Sequence, residues 1–122
     1  MRAFSSKAFA RFARKERITD AQLLMAIADA DSGLIDADLG GGVIKQRIAR
    51  PNAGKSGGYR SIILFKAGDK AFFVHGFAKK DQANIDATDL EGFKALAPVL
   101  LDATDIQIEA LLKAGKITEV KA

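Results

Sequence analysis

Cysteine and tryptophan are absent from this chain of 122 residues, and histidine and tyrosine each occur once. The lack of cysteine excludes disulfides, thiolate catalysis and Cys-based zinc sites, and suits a reducing compartment. A single histidine, His75, rules out a His-rich metal site. No apolar run approaches the roughly 20 residues of a membrane span, so no membrane partner is expected. The first 17 residues carry six Lys/Arg and one acid, as an organelle-targeting segment would. No small-residue cleavage region follows, however, and a basic surface helix is expected there instead. Carboxylates are scarce where cations are dense: only Asp69 and Asp81 lie near the basic segment described below, so a Mg²⁺-dependent site is not expected, nor is any other cofactor. The length fits one domain, residues 1–122, with a substantial core.

What is present is concentrated charge. Residues 43–80 hold nine Lys/Arg and one acid, a net +8, whereas the whole chain is +4. The remainder is therefore acidic, and the basic segment points to a polyanion, RNA or DNA. Basic strands also serve as solvated edges that resist aggregation, which is the plain alternative.

Residues Met1 to Phe4 can form a short first strand, and Ser5 or Ser6 can cap a helix to about Arg14 with Phe9 and Phe12 on one face. Thr19 to Gln22 is a capping-box pattern opening a second helix, with Leu23, Ile27, Ala30 and Leu34 at helical spacing and Gly33 as its stop. Gly40, Gly41 and Gly42 predict a loop, with only a weak phosphate-binding signal because no Gly-Lys-Ser/Thr or GxGxxG pattern accompanies them. From Val43 to Ala49 the residues alternate, Ile44 and Ile48 on one side and Lys45 and Arg47 on the other. A loop rich in turn formers carries Arg50 and Lys55. Tyr59 to Lys66 and Ala71 to Ala78 predict a strand pair joined by a tight turn at Ala67–Asp69. Strand parity groups His75 with Phe73, Phe77 and Lys79. Asp86 or Thr88, the latter opening a capping-box pattern, begins a third helix, with a kink or restart expected near Ala97 because of Pro98, and another capping box at Thr104 opens a fourth, ending at Gly115. Lys116 to Val120 is a possible edge strand.

Cleavage of RNA by its own 2′-OH asks the protein to activate that hydroxyl, neutralise the phosphorane and protonate the leaving oxygen. Arginine suits the second task, because its planar fork matches phosphate oxygens. A lysine whose pKa falls among like charges, or a tyrosine or histidine, suits the others. The candidates are Lys45, Arg47, Lys55, Tyr59, Arg60, His75, Lys79 and Lys80. A lone histidine in a Phe-rich strand is more often a packed residue than a base, Tyr59 reads better as a core anchor, and Phe77 is either a base-stacking platform or core.

The segments Gly54-Lys-Ser-Gly-Gly-Tyr-Arg-Ser-Ile-Ile-Leu-Phe65 and Ala71-Phe-Phe-Val-His-Gly-Phe-Ala-Lys-Lys-Asp-Gln-Ala-Asn-Ile85 resemble the RelE-like toxins of bacterial type II toxin–antitoxin systems, and within the RelE/ParE superfamily the HigB-like branch. The resemblance implies an α+β domain: a small antiparallel β-sheet with N-terminal helices packed on one face and C-terminal helices near the site. It implies metal-independent endonucleolytic cleavage of mRNA on the ribosome, a cytoplasmic location and a cognate antitoxin. It maps phosphate contact onto Arg60 and assisting roles onto Lys55, Lys79 and Lys80, with His75 or a lysine replacing the tyrosine that RelE carries after its basic pair, where this chain has Asn84-Ile85-Asp86. Lys45, Arg47, Arg50 and Phe77 are then the candidate RNA contacts. ParE-like relatives share the fold but act on gyrase, and a non-catalytic nucleic-acid-binding domain is the other alternative.

Overall fold

Strand β4 (Tyr59–Lys66) is apolar towards both faces, and the rest of the chain is arranged to cover it. A computed structural model describes residues 1–49, 58–78 and 85–121. In chain order these form β1 (Arg2–Ser6), α1 (Lys7–Lys15), α2 (Asp20–Asp31), β2 (Ala37–Gly40), β3 (Val43–Ile48), β4, β5 (Lys70–Ala78), α3 (Ala87–Leu101), α4 (Asp105–Lys113) and β6 (Ile117–Glu119). The six strands make one sheet in the order β2-β3-β4-β5-β1-β6. It is antiparallel except where β1 runs parallel to β5, a mixed pairing that the expected antiparallel sheet did not include.

Each face of the sheet buries its own core. On one side Phe9 and Ala13 of α1 and Leu23, Ala26, Ile27 and Ala30 of α2 pack on Ile44, Ile48, Tyr59, Ile63 and Phe73. On the other side Ala97 and Leu101 of α3 and Ile108 of α4 pack with Val43, Ile62, Leu64, Phe72 and Phe77. The α+β architecture, with the N-terminal helices together on one face, agrees with the expectation.

The helix starts follow their caps. Ser6 Oγ accepts from the Phe9 N–H at 3.1 Å. Thr19 with Gln22, and Thr104 with Gln107, form reciprocal capping boxes that satisfy N–H groups the helix cannot. For α3 the cap is Asp86, which accepts from the Asp89 N–H at 2.8 Å, and Thr88 lies inside the first turn. The helix does not restart at Pro98: α3 is continuous from Ala87 to Leu101 with the proline in its last turn. Helix α2 ends earlier than Leu34, whose side chain is exposed, and Gly33 (φ +96°) follows its cap.

Two further sheet features differ from the sequence expectation. Part of the predicted loop before Val43 is the short edge strand β2, and Gly40, Gly41 and Gly42, all at positive φ, turn it into β3. A Cβ on Gly42 would stand 3.0 Å from Leu101 Cδ1, so the glycine also lets α3 approach. In β5 the register passes from Ile62↔His75 to Ile63↔Phe73, leaving Val74 as the extra residue of a bulge. The bulge breaks the parity that grouped Phe73 with His75. Phe73 packs on the α1/α2 side, whereas the His75 ring lies 6.2 Å from Phe93 of α3 on the other.

Candidate nucleic-acid interface

Adjacent strands carry the candidate cations in register. Arg47 of β3 pairs with Arg60 of β4, which pairs with Phe77 of β5. One step along, Lys45 pairs with Ile62 and Ile62 with His75. Residues directly opposite on neighbouring strands share a face, so Lys45, Arg47, Arg60, His75 and Phe77 form two cross-strand rows on the α3 side of the sheet. The alternation expected for β3 holds, with Ile44 and Ile48 buried opposite Lys45 and Arg47.

Exposure grades this face. Arg47 is exposed and Lys45 half-buried, and among the described residues neither has a carboxylate within ion-pairing distance. The Arg60 side chain keeps only 8% of its area exposed, with its Nε 3.7 Å from Asp36 Oδ2. Arg60 Nη1 donates a long hydrogen bond of 3.4 Å to the Tyr59 carbonyl. His75 is half-buried, its ring tilted against Phe77 at 5.7 Å between centroids. Phe77 is buried, 5% exposed, in the place of a core side chain. Tyr59 faces away from the rows into the α1/α2 core, its hydroxyl donating to Glu16 Oε1 at 3.0 Å.

Lys55, Lys79, Lys80 and Arg50 fall outside the described residues. Chain connectivity nevertheless fixes where their segments attach. Ile48, Tyr59 and Ala78 stand side by side across β3, β4 and β5. The link from β3 to β4 and the stretch after β5 thus both leave the sheet at the end that carries the Arg47–Arg60–Phe77 row.

Sequence reasoning missed two residues, Asp36 and Gln46. Gln46 is 3% exposed and fully used: its Nε2 donates to the carbonyls of Ala26 (3.1 Å) and Leu34 (2.9 Å), and its Oε1 accepts from the Asp36 N–H at 3.0 Å. A lone polar side chain between Ile44 and Ile48 on the inward face of β3 was the available signal. Among the described residues no group of three His, Asp or Glu side chains is placed to hold a metal ion. Among the same residues, no helix is long and apolar enough to cross a membrane.

Residues 1–120 match the family described as the RelE toxin of the RelE/RelB toxin–antitoxin system. The chain belongs to the RelE toxin family. No individually curated protein matches it. As a member of that family it is the toxin of a toxin–antitoxin pair, and the family implies an antitoxin as its partner. The sheet order and two-sided helical cover described above are consistent with the RelE-like fold.

Proposed function

We propose that this RelE-family toxin is a metal-independent endoribonuclease that cuts mRNA on the bacterial ribosome, in the cytoplasm, and so blocks translation. The observation that supports it most directly is the alignment of Arg47 and Arg60 as cross-strand neighbours, with Lys45 and His75 in the next row. Three cations and one imidazole share a rigid sheet face, and the segments bearing Lys55, Lys79 and Lys80 attach at its end. The mRNA 2′-oxygen attacks the adjacent phosphorus, the P–O5′ bond breaks, and a 2′,3′-cyclic phosphate and a 5′-hydroxyl result. Arg60 neutralises the phosphorane charge, a task its planar, permanently charged fork suits. A base takes the 2′-OH proton and an acid returns one to O5′; His75, Lys55, Lys79 and Lys80 are the candidates for these two roles. Arg47 and Lys45 track the phosphates on either side.

The burial of Arg60 accounts for the need for a ribosome. Loose RNA meets mainly Arg47 and Lys45, and a phosphate reaches Arg60 only when its neighbours yield. A substrate held in place by the ribosome contributes the binding free energy for that rearrangement.

Mapping mRNA 5′ ends after brief induction tests the proposal. Cuts at fixed codon positions are expected for the parent and none for Arg60→Ala, with the variant folded. Intact mRNA accompanied by DNA damage would replace it with a gyrase-directed toxin. Growth arrest by Arg60→Ala equal to the parent's would remove Arg60 from the site.

A further inference from the structure

The Arg60 guanidinium is not left to find its own orientation. An arginine side chain carries about 2 kcal/mol of rotamer entropy, and a fork that must meet a phosphorane gains from being fixed beforehand. Here Asp36 stands 3.7 Å from Nε, which lies on the side of the fork away from the Nη1–Nη2 edge. Asp36 is itself fixed through its backbone. Its N–H donates to Gln46 Oε1, and Gln46 is locked by two further hydrogen bonds to the carbonyls of Ala26 and Leu34. An unbroken chain of polar contacts thus runs from the end of α2, through the inward face of β3, to the guanidinium on the opposite face of β4.

We infer that Asp36 is a positioning residue for Arg60: it holds the Nε side of the fork, so that Nη2, and Nη1 once its long bond to the Tyr59 carbonyl yields, meet the scissile phosphate; this rests on the nuclease proposal above. The same carboxylate repels a phosphodiester. Asp36 therefore works against substrate binding while it favours the transition state, and the two effects separate in kinetics. The anchor to Gln46 uses the Asp36 main chain, so exchanging the side chain leaves that hydrogen bond in place.

The test measures cleavage of ribosome-bound mRNA by purified parent, Arg60→Ala, Asp36→Asn, Asp36→Ala and Asp36→Glu, each checked by circular dichroism. Misplacing a catalytic group by about 1 Å can cost on the order of a hundredfold, and a loosened one is expected to cost on the order of tenfold. Asp36→Asn and Asp36→Ala should thus lower the maximal rate about tenfold, with the half-saturating toxin concentration unchanged or reduced, and Asp36→Glu should recover part of the rate. In an Arg60→Lys background, where there is no fork to turn, Asp36→Asn should change the rate less than about twofold. Parental maximal rates in folded Asp36→Asn and Asp36→Ala would overturn the inference, as would an undiminished effect in the Arg60→Lys background. If Arg60→Ala has lost cleavage and Asp36→Asn has not, only the positioning role falls. If the parent does not cut, or Arg60→Ala cuts like it, the nuclease proposal falls and the positioning role with it.

Discussion

Phe12 of α1 lies over Gly76 of β5 so closely that a Cβ at residue 76 would overlap its ring and stand 2.9 Å from Phe9 Cε1. This contact seats α1 on the sheet, and Ser61 opposite Gly76 is itself fully buried. Gly76→Ala should cost about 1–3 kcal/mol by overpacking, because Phe12 must swing aside. Removing the ring should give part of this back. A double-mutant cycle with Phe12→Ala, followed by urea unfolding, checks the coupling; strictly additive losses would mean the helix is held by something else.

Arg2 of β1 ties β6 and α4 together by donating from Nε and Nη2 to Glu119 at 2.9 and 3.0 Å, and from Nη2 to Glu109 at 3.3 Å. The hydrogen bonds from Arg2 hold the Glu119 carboxyl below its usual range, partly opposed by burial and aided by the guanidinium charge. A carboxyl whose pKa is lowered on folding stabilises the fold above its ordinary pKa of about 4.3, and this contribution disappears as pH falls through the lower folded value. With Arg2 39% exposed, solvent screening limits the effect to about 0.5–1 kcal/mol. The difference in melting temperature between parent and Glu119→Gln should shrink below about pH 4. A constant difference from pH 7 to pH 3 would show that the ion pair does not cause it.

Gln46→Leu should be among the most damaging substitutions outside the aromatic core. It removes three hydrogen bonds at a buried position and leaves the Asp36 N–H and two carbonyls unmatched, at about 2–4 kcal/mol. Equilibrium denaturation with an unchanged m-value reports this directly. A loss below about 0.5 kcal/mol would mean that water replaces the amide there.

Arg47 is exposed on the candidate face. Arg47→Ala should leave stability within about 0.5 kcal/mol of the parent while weakening RNA association. It should also reduce the slope of log affinity against log salt by about 1, as loss of one phosphate contact predicts. An unchanged slope would take Arg47 off the RNA path.

These residues also show what local sequence carries. Strand β3 was legible because Ile44 and Ile48 alternate with Lys45 and Arg47, and α2 and α4 because Thr19 and Thr104 announce their starts. The face taken by His75 was not legible. Phe72, Phe73 and Val74 form an apolar run without alternation, so nothing in it marks the extra residue of the bulge. Strand β2 was hidden because acids and glycines are poor strand formers, and it exists through pairing with β3. Helix α3 was legible as well, since Asp86, one of the two caps the sequence offers there, is the residue that caps it. The approach of Asp36 to Arg60 depends on the fold alone, since the two are far apart in sequence and Asp36 looks like one more acid near the end of α2.

Strand β1 has an uncommon position. Its neighbours are β5 on one side and β6 on the other, so its Arg2 meets Glu119 across 117 positions of chain. The β3-β4-β5 pairings join segments near in sequence, whereas β1 pairs with two remote ones. The pairing of β1 with β5 and β6 thus closes the longest loops in the sheet, and the two chain ends are tied into one structure with the strands that bear Arg47 and Arg60.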